Sequence, residues 1–296
     1  MALLAYILPV VIPVFLTTGL GYLWARRGLG FEHAFVTRLI VNVAAPCLVF
    51  SSLVHSPLSG HGLLLMSEAT LACLLLFALA GLLLLRLARL PLRTYLPSLM
   101  FPNIGNMGLP VCLFAFGQEG LALATLYFTV CCLLQFTVGE GIAARRLRLG
   151  GVLRVPFLYA ALLAVVCKLA PLPPPLWLTN TTGLVGGMTV PLMLMALGVA
   201  LAGLKVGHLG QAMVIAAARL ALGAAGGFLI AWAFGLHGAM RGVLVLESTM
   251  PVAVFNYLFA EIHGNSPQKV AGAVVASTLL SLLSLPLMLA LVGAGG

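Results

Sequence analysis

Between Phe101 and Pro110 the chain reads FPNIGNMGLP, with two prolines, two glycines and two asparagines inside a run apolar enough to lie in a bilayer. Pro110 has no N–H to donate, and its ring clashes with the carbonyl four residues back. In hydrocarbon an opened backbone is tolerated only where it is buried in protein or lines a wet cavity. The segment therefore predicts a broken membrane helix with a binding site at the break. A second interrupted run, STMPVAVFN at 248–256, carries Met250, Pro251 and Asn256. Pro110 and Pro251 can each be the first residue of a new half-helix. Such starts leave free N–H groups and the positive ends of two helix dipoles near the midplane. Two of these ends converging in a dry site favour an anion, most simply a carboxylate. Gly105 and Gly108 let the backbone approach a ligand closely. Asn103 and Asn106 can donate to oxygens without adding charge. Of the polar groups inside the spans, Gln135, Thr137, Asn42, Ser277 and Thr278 are expected to hold helices together. Asn256, a turn and a half past Pro251, is the exception assigned to the site.

Two ionisable residues lie deep. Counting ~1.5 Å per residue, Glu247 sits ~12 Å from the outer start of its helix and Arg219 ~15 Å from the inner start of its own. Glu247 could take a proton or Na⁺ and so couple the cycle to either ion; Arg219 could attract an anion. Equally, the two could neutralise each other across packed helices. The six histidines, His33 included, fall in or beside loops without metal-ligand spacing and are expected to be solvated. The six cysteines all fall in apolar runs without C-x-x-C spacing, so neither a disulfide framework nor a zinc site is indicated. No aspartate occurs, and H-E-x-x-H, G-x-S-x-G and Walker A patterns are absent, which argues against an enzyme. No cofactor is expected.

The elements that must position these residues follow from composition. Of 296 residues 62% are apolar and 7% charged, with a mean hydropathy of +1.17. Soluble domains carry about 25% charged residues, so most of this surface must face membrane lipid. The net charge of +9 sits in short arginine clusters between apolar runs, which indicates orientation in a membrane and not nucleic-acid binding. Ten runs near the ~20 residues needed to span fall roughly at 5–25, 35–55, 62–85, 94–116, 119–140, 155–171, 178–204, 209–234, 239–262 and 269–292. The first run lacks a basic n-region and is full length, as expected of a spanning helix and not of a cleaved signal peptide. Connectors after odd-numbered runs hold twelve basic residues, among them Arg145, Arg146, Arg148 and Arg154, against two after even-numbered runs, Lys168 and Arg241. The asymmetry places both termini outside the cytoplasm. It also gives residues 1–147 and 148–296 opposite topology. Pro46 and Pro110 stand 64 residues apart, Pro191 and Pro251 60 apart, so each half carries interrupted helices in matching places. The expected fold is all-α: ten transmembrane helices in two inverted five-helix repeats, with helices four and nine broken and crossing.

At these residues the chain resembles the auxin efflux carrier family, which includes plant PIN-type carriers and bacterial carboxylate permeases. The resemblance covers nearly the whole chain. It is carried by VTRLIVNVAAPCLVFSSLVHS (36–56), PNIGNMGLP followed by VCLFAFG (102–117), and STMPVAVFNYLFAEIHG (248–264). It implies a secondary transporter of a small organic carboxylate, auxin-like or malonate-like; the Leu-, Ala- and Arg-rich usage and compact loops suggest the cell (inner) membrane of a bacterium. It further implies a scaffold of helices one, two, six and seven, often a homodimer contact, and an elevator-like core of helices three to five and eight to ten. The family's crossover asparagine falls on Asn103 and its crossover prolines on Pro110 and Pro251. The connector of about a dozen residues lacks the long hydrophilic loop of many plant members. Glu247 matches no family motif. The bile-acid/sodium symporter family shares the crossed ten-helix architecture and has an acidic residue in helix nine. It supplies the alternative reading, a sodium-coupled organic-anion transporter.

Overall fold

The computed structural model describes residues 2–56, 58–145, 155–169 and 174–293, and among them there is no named strand. The connector arginines Arg146, Arg148 and Arg154, and the boundary between the expected halves, lie outside the described residues. Helix α1 spans Ala2–Arg26, α2 His33–Leu39, α3 Ala45–Val54 and α4 Gly60–Leu87. Then come α5 Leu92–Met100, α6 Leu109–Leu134, α7 Glu140–Ala144, α8 Pro156–Leu169 and α9 Leu176–Gly187. The last five are α10 Thr189–Gly203, α11 Leu209–Ala233, α12 Gly238–Thr249, α13 Val254–Ile262 and α14 Pro267–Gly293. Among the described residues seven continuous helical stretches are long and apolar enough to cross a membrane.

One of these stretches, Ile104–Ala144, has 41 residues. At ~1.5 Å per residue it would reach about twice the ~30 Å hydrocarbon thickness. It turns at Gly117, whose φ of 62° and ψ of −148° belong to a region open essentially to glycine alone. The segments on either side are therefore two helices that meet at a kink, at the sequence boundary near 117.

Three wide, π-helical turns interrupt the α-helices: Ile40–Ala44, Ile104–Gly108 and Gln135–Gly139. The first two each run into a proline in the opening turn of the next helix, Pro46 in α3 and Pro110 in α6. A proline ring pushes on the carbonyl four residues back and offers it no N–H; widening the preceding turn relieves that clash without ending the helix. The third turn contains no proline. There Gly139 lies against Phe101, and a Cβ at Gly139 would sit 2.8 Å from the ring.

Lipid supplies no hydrophobic drive between helices, so close approach depends on small residues. Helices α1 and α10 meet at Gly21 and Gly198. A Cβ on Gly21 would lie 2.2 Å from the Met195 carbonyl oxygen, and one on Gly198 1.9 Å from that of Thr18. Helix α9 meets α3 the same way, since a Cβ on Gly186 would lie 2.8 Å from the Leu48 backbone. Leucines such as Leu16, Leu64, Leu75, Leu184 and Leu283 stay exposed along outer faces, as lipid-facing positions should. Tyr95, Tyr127, Phe77 and Phe101 are fully enclosed.

Candidate functional site

The two interrupted runs cross at their breaks. Helix α5 ends at Met100 and helix α12 at Thr249, and the extended residues that follow pair as an isolated antiparallel bridge between Pro102 and Val252. The Asn103 N–H donates to the Pro251 carbonyl at 2.7 Å, and the Ala253 N–H to the Phe101 carbonyl at 3.2 Å. Side chains complete the knot. Asn256 Nδ2 donates to the Phe101 carbonyl at 3.1 Å, and Gln135 Nε2 donates to Asn256 Oδ1 at 3.1 Å. Ser277 Oγ accepts from the Val252 N–H at 3.0 Å. Prolines suit these positions because Pro102 and Pro251 need donate nothing.

Beyond the crossing the chain re-enters helix at Ile104 and at Val254. The sequence placed the first restart at Pro110, and this is corrected. Pro110 lies buried in the first turn of α6, six residues inside the half-helix, because the wide turn at Ile104–Gly108 absorbs it. Pro251 likewise sits in the extended segment and not at the first helical position. Within the crossing Pro102 pairs with Val252, and the Pro251 carbonyl accepts from Asn103.

The restarts leave donors free. The Asn103 carbonyl accepts from the N–H groups of Met107 and Gly108, at 3.3 and 3.2 Å. The N–H groups of Gly105, Asn106, Val254 and Phe255 have no backbone acceptor among the described residues, as expected at a helix N-terminus. All four residues line one cavity. The Asn103 side chain lines it too; the residue is 3% exposed, and its Nδ2 is buried without a hydrogen-bond partner. A buried amide donor left unpaired is costly, and this one stands at the cavity wall. The cavity has ≈ 70 Å³ of room for the centres of water-sized molecules, enough for several waters or a small anion by the ~10–15 Å³ each water needs.

Most of the wall is apolar: Ile40, Val41, Phe128, Phe136, Phe157, Met193 and Leu258. All three wide turns contribute, through Ile40, Gly105 and Gln135. A Cβ on Gly105 would stand 3.0 Å from the Phe128 ring, so glycine sets how near that ring lies to the free N–H groups. Polar groups are few: Asn103, Asn106, Gln135, Thr37 and His33. His33 was expected in solvent. It is half-buried at the start of α2, and its Nδ1 is enclosed without a partner. Gln135, assigned to helix association, does hold Asn256 and also faces the cavity. Nothing in the spacing of either residue signals this, because both reach the cavity from elements distant in sequence.

The remaining expected residues take other places. Gly108, Pro110, Met250, Pro251 and Asn256 do not line the cavity. Both ends of the Asn256 amide are committed to the crossing. Met250, 2% exposed, closes α12, its N–H donating to the Glu247 carbonyl at 3.3 Å. Gly108 makes room for Glu247: a Cβ there would fall 2.0 Å from Glu247 Oε2. Glu247 is wholly buried; its Oε1 accepts from the Cys112 thiol at 3.7 Å, and Oε2 has no partner.

Arg219 and Glu247 form no ion pair, so their mutual neutralisation is corrected. The guanidinium, also wholly buried, turns instead to backbone. Nη1 donates to the Leu99 carbonyl and Nη2 to the Ser248 carbonyl. Its carbon stands 4.5 Å from the centre of the Phe77 ring.

Discontinuous helices meeting inside an apolar, all-helical chain, with irregular backbone buried at the crossing and along a cavity, define a multi-pass membrane protein built for solute passage. Comparison with known proteins agrees. The sequence matches the family described as Membrane transport protein over residues 6–148 and 149–289. An uncharacterized transporter of Methanothermobacter thermautotrophicus is 31% identical over 94% of this chain and 95% of its own. Another, from Methanocaldococcus jannaschii, is 25% identical over 86% of this chain and 89% of its own. The chain belongs to the Membrane transport protein family, the auxin efflux carrier family that its motifs resemble, and is a transporter and not an enzyme.

Proposed function

We propose that the protein is a secondary active carrier of a small organic carboxylate, held where the half-helices beginning at Ile104 and Val254 converge. One observation carries the reading: the four residues whose N–H groups lack a backbone acceptor line one cavity with the unpaired Asn103 amide, and among the described residues His33 is the only side chain there able to carry positive charge. Backbone donors and two dipole ends are a weak field suited to a single carboxylate that must also leave. The aromatic and aliphatic wall suits an apolar body behind it.

The ten-span reading counts the seven long stretches with Gly117 dividing one of them in two. To these it adds α8 and the interrupted run of α12 and α13, with α5 completing the span that continues at Ile104, and the reading gives two inverted halves with both termini outside. Alternating access is supported by a second cavity, of ≈ 460 Å³ on the same measure, lined by Leu48, Ser51, His55, Gln118, Gly187 and Val190. It lies along the other ends of the helices that wall the first, with His33–Ala45 on one side and Leu48–His55 on the other. An elevator-like core moving against a scaffold of helices one, two, six and seven, dimeric through that scaffold, follows from the family resemblance. Glu247, enclosed beside the second half of the broken run, is the group we assign to proton coupling.

Counterflow in proteoliposomes tests the carrier. Internal unlabelled carboxylate accelerates uptake of the labelled compound if the site alternates. Conductance without acceleration would make the protein a channel.

A further inference from the structure

Two broken helices that cross create four ends at one place. The two N-terminal ends face the cavity. The other two are the C-terminal ends of α5 and α12, whose last carbonyls have no helical N–H to receive. Each helix C-terminus carries roughly half a negative charge, so the pair amounts to about one. Exposed carbonyls at such ends are the usual ligands of a coupling cation in carriers with discontinuous helices.

Here that place is filled. Arg219, reaching from the middle of α11, donates from one terminal nitrogen to Leu99 in the last turn of α5 and from the other to Ser248 in the last turn of α12. The planar fork spans two acceptors that a point charge would have to gather. Phe77 covers the guanidinium face at 4.5 Å. Gly223, one turn along α11, clears the approach: a Cβ there would lie 2.1 Å from the Ser248 oxygen and 2.8 Å from Arg219 Nη2. No carboxylate lies within ion-pairing distance of Arg219 among the described residues, so the helix ends are its counter-charge. We infer that Arg219 is a built-in cation occupying the cation site between the two half-helix C-termini, and that the crossing therefore assembles without bound Na⁺. At this position a covalent charge stands where the sodium-coupled alternative would need a bound ion. The inference concerns the helix ends and holds whatever the cargo.

The test is thermal unfolding of the purified protein without substrate, in NaCl and in choline chloride at equal ionic strength. The wild-type midpoint is expected to be the same in both, because nothing is left for Na⁺ to bind. Arg219→Ala lowers the midpoint, and guanidinium below denaturing concentrations, or Na⁺, recovers part of the loss where choline does not. Arg219→Lys keeps the charge, reaches only one helix end, and falls between. A wild-type midpoint raised by Na⁺ would overturn the inference, as would an Arg219→Ala protein with the wild-type midpoint or with no cation-specific recovery. If Arg219→Ala does not fold, the wild-type salt comparison and the rank of Arg219→Lys decide it.

Discussion

Asn103 divides its polar groups between two tasks. Its N–H and carbonyl hold the crossing and the first turn of the next half-helix, while its side-chain amide is left buried and unpaired at the cavity wall. Asn103→Ala keeps every backbone bond and removes only the waiting donor. A hydrogen bond to a charged group contributes about 1.5–3 kcal/mol, so transport should fall about 10- to 100-fold while the unfolding midpoint stays near wild type. Unchanged uptake would remove the residue from the site. Glu247 and Gly108 form a second local unit, since the carboxyl occupies the space a side chain at 108 would need. Gly108→Ala should destabilise by roughly 1–3 kcal/mol, the range for overpacking a buried position. Added to Glu247→Ala it should cost less than it does alone, a coupling that a double-mutant cycle of unfolding midpoints measures. Additive losses would place the carboxyl elsewhere. Replacing Glu247 with Gln keeps its shape, and should flatten the pH dependence of transport if the carboxyl carries the proton.

At the scale of elements, the α1–α10 contact depends on two glycines facing carbonyls. Gly198→Leu would drive a side chain into the Thr18 carbonyl, 1.9 Å from even a Cβ, and should lower the unfolding midpoint far more than Gly203→Leu, where a Cβ meets nothing. Equal effects would mean the two helices do not meet there. The elements also show what was legible in the residues. Clustered prolines and glycines marked the first interruption and Pro251 the second, and deep placement of Glu247 and Arg219 followed from counting residues along their helices. The point at which the first half-helix restarts was hidden, because proline forbids a regular α-turn but permits a wide one. Pro110 therefore looked like a beginning and is an interior residue. Asn256 looked like a ligand because spacing records distance from the break and not the partner its amide finds, Phe101, some 155 positions away. His33 looked solvated because it falls beside a loop without metal-ligand spacing, whereas it lines the cavity together with residues distant in sequence.

For the whole molecule, the orientation we propose from the arginine asymmetry puts both ends of the chain outside the cytoplasm. A reporter active only outside the membrane, fused to the C-terminus, should be active; activity confined to a cytoplasmic reporter would reverse the orientation and with it the side to which each cavity opens. The broader account rests on two half-helix starts turned toward one cavity, an arrangement that favours negative charge. Thermal-shift binding of paired ligands to the purified protein, each carboxylate against its uncharged carboxamide, tests that claim most directly. Stabilisation by a carboxylate and not by its amide, lost in Asn103→Ala, is the result expected. Stabilisation by amides or amines equal to that by carboxylates would contradict it.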